Sequence, residues 1–274
     1  MEKVQKIKAA AIVLACVVLD IVLHVVTSSY STMPENPDLS LAASILGTEI
    51  TASLWALFAF SGVAFVYWNI RNEILGESVK KGSRYGGAIA LIWMFAMLEG
   101  VSLFGNPVIK EFIVGLSDAI PVFVLSVLLS KLQSEKVEGE PSVTLTLRHK
   151  IKAVLIFAGI FLMGRYIAYF SGVIQSGYQI RPIQTFVWTL LMGISIGAAL
   201  VLLDYRNERS LKHRAVKFGF LIFGLNWAAF LVFMPLLFSG YLVDVLFRIV
   251  IDILLVTTGY YLTYGQGLSH LRSG

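Results

Sequence analysis

Eight stretches of about 20 or more mostly apolar residues run through the sequence, at roughly 9–28, 41–68, 86–105, 108–130, 153–173, 183–204, 217–238 and 241–264. A helix rises 1.5 Å per residue, so about 20 such residues cross the ~30 Å hydrocarbon core of a bilayer. A chain of 274 residues has no water-soluble core large enough to bury eight such segments, and its composition agrees: 57% hydrophobic and 14% charged, against roughly 45–50% and about 25% in soluble domains. The runs are unbroken rather than alternating, which argues against a membrane β-barrel. The first run is too long for the apolar part of a signal peptide and no small-residue cleavage site follows it. A single cysteine, Cys16, rules out a disulfide scaffold. The expected fold is all-α, a polytopic integral membrane bundle of eight transmembrane helices.

Orientation follows from the basic residues. With eight spans, eighteen of the 22 Lys and Arg fall on one side, among them Lys6 and Lys8, Arg71 and Arg84, Lys150 and Lys152, and Arg209 and Lys212. Only Lys110 and Arg181 fall on the other side, while Arg165 and Arg248 lie inside spans. Short loops with this bias face the cytoplasm, so both termini are expected inside a cytoplasmic membrane. The pI near 9.2 is then the charge of inserted loops facing anionic lipid. It calls for the lipid bilayer as partner and no nucleic acid, since a basic soluble domain with aromatic platforms is missing.

The chain reads as duplicated. Lys6-Ile7-Lys8-Ala9 recurs at Lys150-Ile151-Lys152-Ala153, Arg71-Asn72-Glu73 at Arg206-Asn207-Glu208, Trp93 at Trp227 and Asp118 at Asp252, with offsets of 144, 135, 134 and 134. Collinear matches at one offset point to two four-helix repeats, 1–134 and 145–274, joined by a polar linker over 135–144. Four spans are an even number, so the repeats run parallel, one of the two repeat styles of secondary transporters.

Charged residues within the spans are expensive to insert and are the candidates for function. They are Asp20 and His24 in the first span, Glu49 in the second, Glu99 in the third, Asp118 in the fourth, Arg165 in the fifth, and Arg248 and Asp252 in the eighth. Counted from the span ends they fall in the middle-to-outer half of the membrane, which suggests a polar cavity opening outward or a midplane polar cluster sealed by apolar packing. Asp20 and His24, four residues apart, share a helix face; so do Asp244, Arg248 and Asp252, which suggests an Asp–Arg–Asp ladder. Five carboxylates stand against two guanidiniums, so at least one is expected to be protonated or to hold a cation. Pro121 frees the carbonyl of Ser117 beside Asp118, and Pro235 frees that of Leu231. Gly193 and Gly197 read as close-packing positions. Tyr30, Trp68, Tyr85 and Tyr264 lie near span ends, where aromatic belts sit.

Enzymatic readings are weaker. His24 is the one histidine at depth, so neither a histidine-rich metal centre nor a bis-histidine haem is expected. The nucleotide-binding fingerprints and the Gly-x-Ser-x-Gly elbow are also missing. No cofactor is expected. The leading expectation is a small secondary transporter or ion- or proton-coupled permease, with Asp118 and Asp252 at its centre and a proton, cation or small solute as ligand. The alternatives are a non-transporting sensor, immunity or assembly protein held by structural salt bridges, and an intramembrane hydrolase.

Overall fold

Local signals set the helix ends. Thr146 caps the helix Leu147–Phe170 by accepting from the His149 amide, Ser210 does the same for the turn beginning at Leu211, and Pro182 opens Pro182–Leu203 at the one position where a missing N–H is harmless. The computed structural model describes residues 3–32, 38–132, 146–203, 205 and 209–265. It contains eight long helical rods: α1 (Lys3–Val26), α2 (Thr48–Ile70), α3 (Ser78–Met97), α4 (Val108–Ser130), α5 (Leu147–Phe170), α6 (Pro182–Leu203), α7 (Leu211–Leu237) and α8 (Leu242–Gly265). The linker at 135–144, Arg206-Asn207-Glu208, Lys136, His270 and Arg272 lie outside the described residues. No strand forms among the described residues; two isolated bridges, Leu39 with Phe238 and Ile74 with Tyr205, tie loops together.

Seven of the rods, α1 to α7, are long and apolar enough to cross a bilayer. α8 has 24 residues and carries Asp244, Arg248 and Asp252. The chain is therefore a multi-pass membrane protein. Its surface agrees: Val26, Leu41, Ile45 and Ile180 are each more than two-thirds exposed, an apolar exterior that suits lipid rather than water.

Three expected spans are interrupted. The run at 41–68 breaks at Gly47, whose φ of 85° lies in the left-handed region, leaving a short helix Leu41–Leu46 ahead of α2. Glycine reaches that conformation without steric penalty. The run at 86–105 begins earlier, at Ser78, and ends in a separate turn, Glu99–Leu103, after Leu98. α7 is itself composite: a π-helical stretch, Lys217–Gly224, joins α-helical turns on either side, and the rod breaks again at Val232, three residues before Pro235. The wide π turns bring Gly219 against α8, where an added Cβ would stand 1.9 Å from Thr257 Oγ1. Gly193 and Gly197 do pack closely, since a Cβ there would meet α5 backbone at 2.8 and 2.7 Å.

The helices pair in a regular way. α1 packs on α4 and α2, α3 on α4, α5 on α6 and α8, and α7 on α8; α2 meets α7, and α3 meets α6. At one end of the bundle Ser40 donates to the Leu236 carbonyl and Arg181 donates to the carbonyls of Leu103 and Phe104. At the other end Lys217 pairs with Glu73. The loops after α1 and α7 thus meet, as do those after α3 and α5, as expected of an up-and-down bundle. The centre is aromatic and tightly packed. Trp93 and Trp227 are fully buried; Trp55 Nε1 donates to the Ala229 carbonyl at 2.7 Å and Trp93 Nε1 to that of Asn226 at 3.2 Å. Tyr85, expected at the membrane rim, instead lies in this core, bonded to the Val63 carbonyl and to Asn226. Satisfying its hydroxyl there is what makes burial tolerable.

Candidate functional site

The charged residues read from the sequence do not form one site. They separate into two clusters, each built on one pair of packed helices: α1 on α4, and α5 on α8.

The larger cluster lies between α5 and α8. Arg165, fully buried, spans both oxygens of Asp252 with Nε and one terminal nitrogen at 2.7 and 2.6 Å. Its other terminal nitrogen reaches Glu99 at 3.2 Å. Trp227 Nε1 donates to the same Asp252 at 2.9 Å. Arg248 takes the other half, donating to Glu99 at 2.5 Å, to Asp244 one turn before it, and to the Gln175 carbonyl. Asp244 also accepts from the Gln175 amide at 2.6 Å. Three carboxylates and two guanidiniums therefore interlock, joining α5, α8, the Glu99–Leu103 turn and the loop at Gln175. The bidentate fork of Arg165 on Asp252 is the strongest geometry such a pair can take. The expected Asp244–Arg248–Asp252 ladder is half correct: Arg248 turns to Asp244 and Glu99, because Arg165 already fills both oxygens of Asp252.

The smaller cluster lies between α1 and α4. His24 Nε2 stands 3.1 Å from Asp118 Oδ1 and 3.8 Å from Asp20 Oδ1. Asp20 and Asp118 are buried, at 3% and 4% exposure, whereas the His24 side chain is 38% exposed. Asp20 Oδ1 has no hydrogen-bond partner among the described residues. One turn along, Thr27 Oγ1 lies 3.1 Å from Ser117 Oγ. Here two carboxylates flank one imidazole, and among the described residues no arginine pairs with them and one carboxylate oxygen is unmatched. The ligand-capable atoms of the three residues all lie within 4.8 Å of one another.

Asp118 and Asp252 thus bond to different partners and do not share a site, although each lies ten residues after its helix begins, at Val108 and Leu242. Glu49 belongs to neither cluster. The break at Gly47 places it, exposed, in the first turn of α2, where a carboxylate complements the helix dipole. Tyr169 is buried with its hydroxyl 3.5 Å from Thr189, while Tyr166 stacks edge-on against it. The Arg165 cluster is packed shut, which fits a sealed polar cluster better than an outward cavity at that place. An apolar groove of about 340 Å³ is lined by Leu46, Leu54, Trp55, Phe58 and Leu236.

Sequence reasoning missed Glu111. It is 1% exposed, accepts from Asn106 at 2.5 Å, and is admitted by Gly100, where a Cβ would stand 2.2 Å from its Oε1. Its place in the first turn of a span makes it read as an interfacial charge; the glycine opposite it is the only sequence trace, and that lies in another helix. Compared with known proteins, the chain matches no family model, no curated protein and no solved structure.

Proposed function

We propose that the chain is a small ion-coupled secondary transporter of the cytoplasmic membrane. In this reading it has eight spans arranged as two parallel four-helix repeats, with both termini inside. The Asp20–His24–Asp118 cluster is the ion site; the Arg165–Asp252 cluster is its locked counterpart. The observation that carries the reading is Asp20 Oδ1, a buried carboxylate oxygen without a partner beside a half-exposed histidine. Leaving such a group unmatched in low dielectric is costly, and a bound cation removes that cost.

Helix pairing supports the repeat arrangement. A twofold axis along the membrane normal would exchange α1/α4 with α5/α8 and α2/α7 with α6/α3, and all four pairs are in contact. It would also exchange the contact between the loops after α1 and α7 with that between the loops after α5 and α3. Parallel repeats of this kind hold their sites near the midplane and move one half against the other. A cation entering by His24 would neutralise Asp20 and Asp118 and change how α1 packs on α4. The Arg165 cluster supplies the rigid half on which that motion works.

The fully mated Arg165 network favours one rival, a non-transporting membrane protein whose charges are structural. Flux in proteoliposomes separates the two. Asp118→Asn is expected to abolish cation-dependent flux with folding intact. Asp252→Asn is expected to lower the folded yield while the folded fraction still transports. Flux unchanged by Asp118→Asn in a folded protein contradicts the proposal.

A further inference from the structure

We infer that Asp20, His24 and Asp118 form a binding site for a divalent transition-metal ion of the Zn²⁺ class. The inference deepens the transport reading and rests on it for the role of the ion, though not for its binding. Two ligands on a tetrahedral Zn²⁺ at ~2.0–2.1 Å stand about 3.3 Å apart. The His24 Nε2 separations from Asp118 Oδ1 and Asp20 Oδ1, 3.1 and 3.8 Å, bracket that distance. Small rotations of two side chains would therefore bring three ligand atoms around one ion.

The donor set favours the same class. One imidazole nitrogen and two carboxylate oxygens suit first-row divalent ions such as Zn²⁺, whereas Mg²⁺ and Ca²⁺ prefer all-oxygen shells. Two carboxylates also balance the charge of a divalent ion, which a buried site requires. Asp20 Oδ1, unpartnered and buried, supplies a vacant ligand atom. Three protein ligands leave a fourth position open, as in sites that exchange ligands rather than closed structural ones. The 38% exposure of His24 provides the way in, and the hydroxyls of Thr27 and Ser117 lie one turn further along. His24 Nε2 must give up any proton it shares with Asp118 when the metal binds, so binding releases that proton to solvent.

The test uses the full chain in detergent. Zn²⁺ is titrated with equilibrium dialysis, and diethylpyrocarbonate modification of each histidine is read by peptide mass spectrometry. One Zn²⁺ per chain is expected, with protection of His24 and none of the exposed His149 and His213. Asp118→Asn is expected to weaken binding at least ~10-fold, since even outer-shell changes at metal sites cost 10–100-fold; Glu49→Gln should leave it unchanged. Excess Mg²⁺ should not displace the Zn²⁺. Equal protection of His24, His149 and His213, full-strength binding in Asp118→Asn, or displacement by Mg²⁺ overturns the inference. If Asp118→Asn does not fold, His24 protection in the unaltered chain decides alone. The two readings fail separately: Zn²⁺ binding without flux removes transport and leaves the site, while flux without Zn²⁺ binding removes the metal and leaves transport.

Discussion

Replacing Arg165 by Leu should be among the most damaging single changes in the protein. Its guanidinium makes two bonds to Asp252, at 2.7 and 2.6 Å, and one to Glu99 at 3.2 Å, with Arg165 and Asp252 at zero exposure. Without it Asp252 keeps only the Trp227 indole, at 2.9 Å, while Glu99 still has Arg248. Stranding one partner of a buried ion pair typically costs about 3–5 kcal/mol, and Asp252→Leu should cost a similar amount by stranding Arg165. Removing both together leaves no unpaired charge between them, and such apolar replacements are often close to neutral. The double variant should therefore lose much less than the ~6–10 kcal/mol sum of the singles, with a coupling of at least ~3 kcal/mol, the upper end for contacting residues. Arg165→Lys should recover little, because a point ammonium cannot reproduce the two-pronged geometry. Reversible unfolding in mixed micelles, followed by fluorescence of the five tryptophans, provides the free energies. Losses additive to within about 0.5 kcal/mol would refute the interlocked-network reasoning.

Further predictions can be checked by thermal melting and labelling. Gly177→Ala should destabilise by about 1–3 kcal/mol, because its Cβ would stand 2.0 Å from the Ser102 carbonyl oxygen; Gly159→Ala, with nothing within 4 Å, should be neutral or raise Tm. Asn226→Ala should cost about 1–3 kcal/mol, since it strips Tyr85 of its side-chain partner and frees the Ile222 carbonyl at 2.6 Å; an unchanged Tm would contradict the role given to this contact. In a Cys16→Ala background a membrane-impermeant maleimide should label Gln175→Cys on intact cells and Glu77→Cys only after permeabilisation. The reverse pattern would invert the topology.

The helical membrane class was legible because it depends on local hydropathy, which tertiary contacts cannot hide. All eight apolar stretches correspond to long helical rods. Interruptions were less legible: Gly47 is one small residue in an apolar run, and its φ of 85° becomes necessary only because Leu41–Leu46 must turn against α7. Seven of the eight candidate site residues fall in two clusters, so charge at depth marked residues that the fold brings together. Pairing was not, because it depends on which helices touch. Nothing near Asp252 in sequence says that Arg165, 87 residues away, takes both its oxygens, and nothing near Asp118 says that it meets His24. Glu49 was misplaced for the same reason as Gly47: a break upstream moved it from mid-span to a helix end.

The account stands or falls on whether the Asp20–His24–Asp118 cluster moves an ion. Charge displacement recorded from proteoliposomes on a solid-supported membrane, during rapid jumps through a cation panel, measures this directly. The account predicts a transient current with the unaltered chain for at least one cation, an equal current with Glu49→Gln, and none with folded Asp118→Asn. A current that survives intact in Asp118→Asn, or no current from the unaltered chain with any cation, would contradict it.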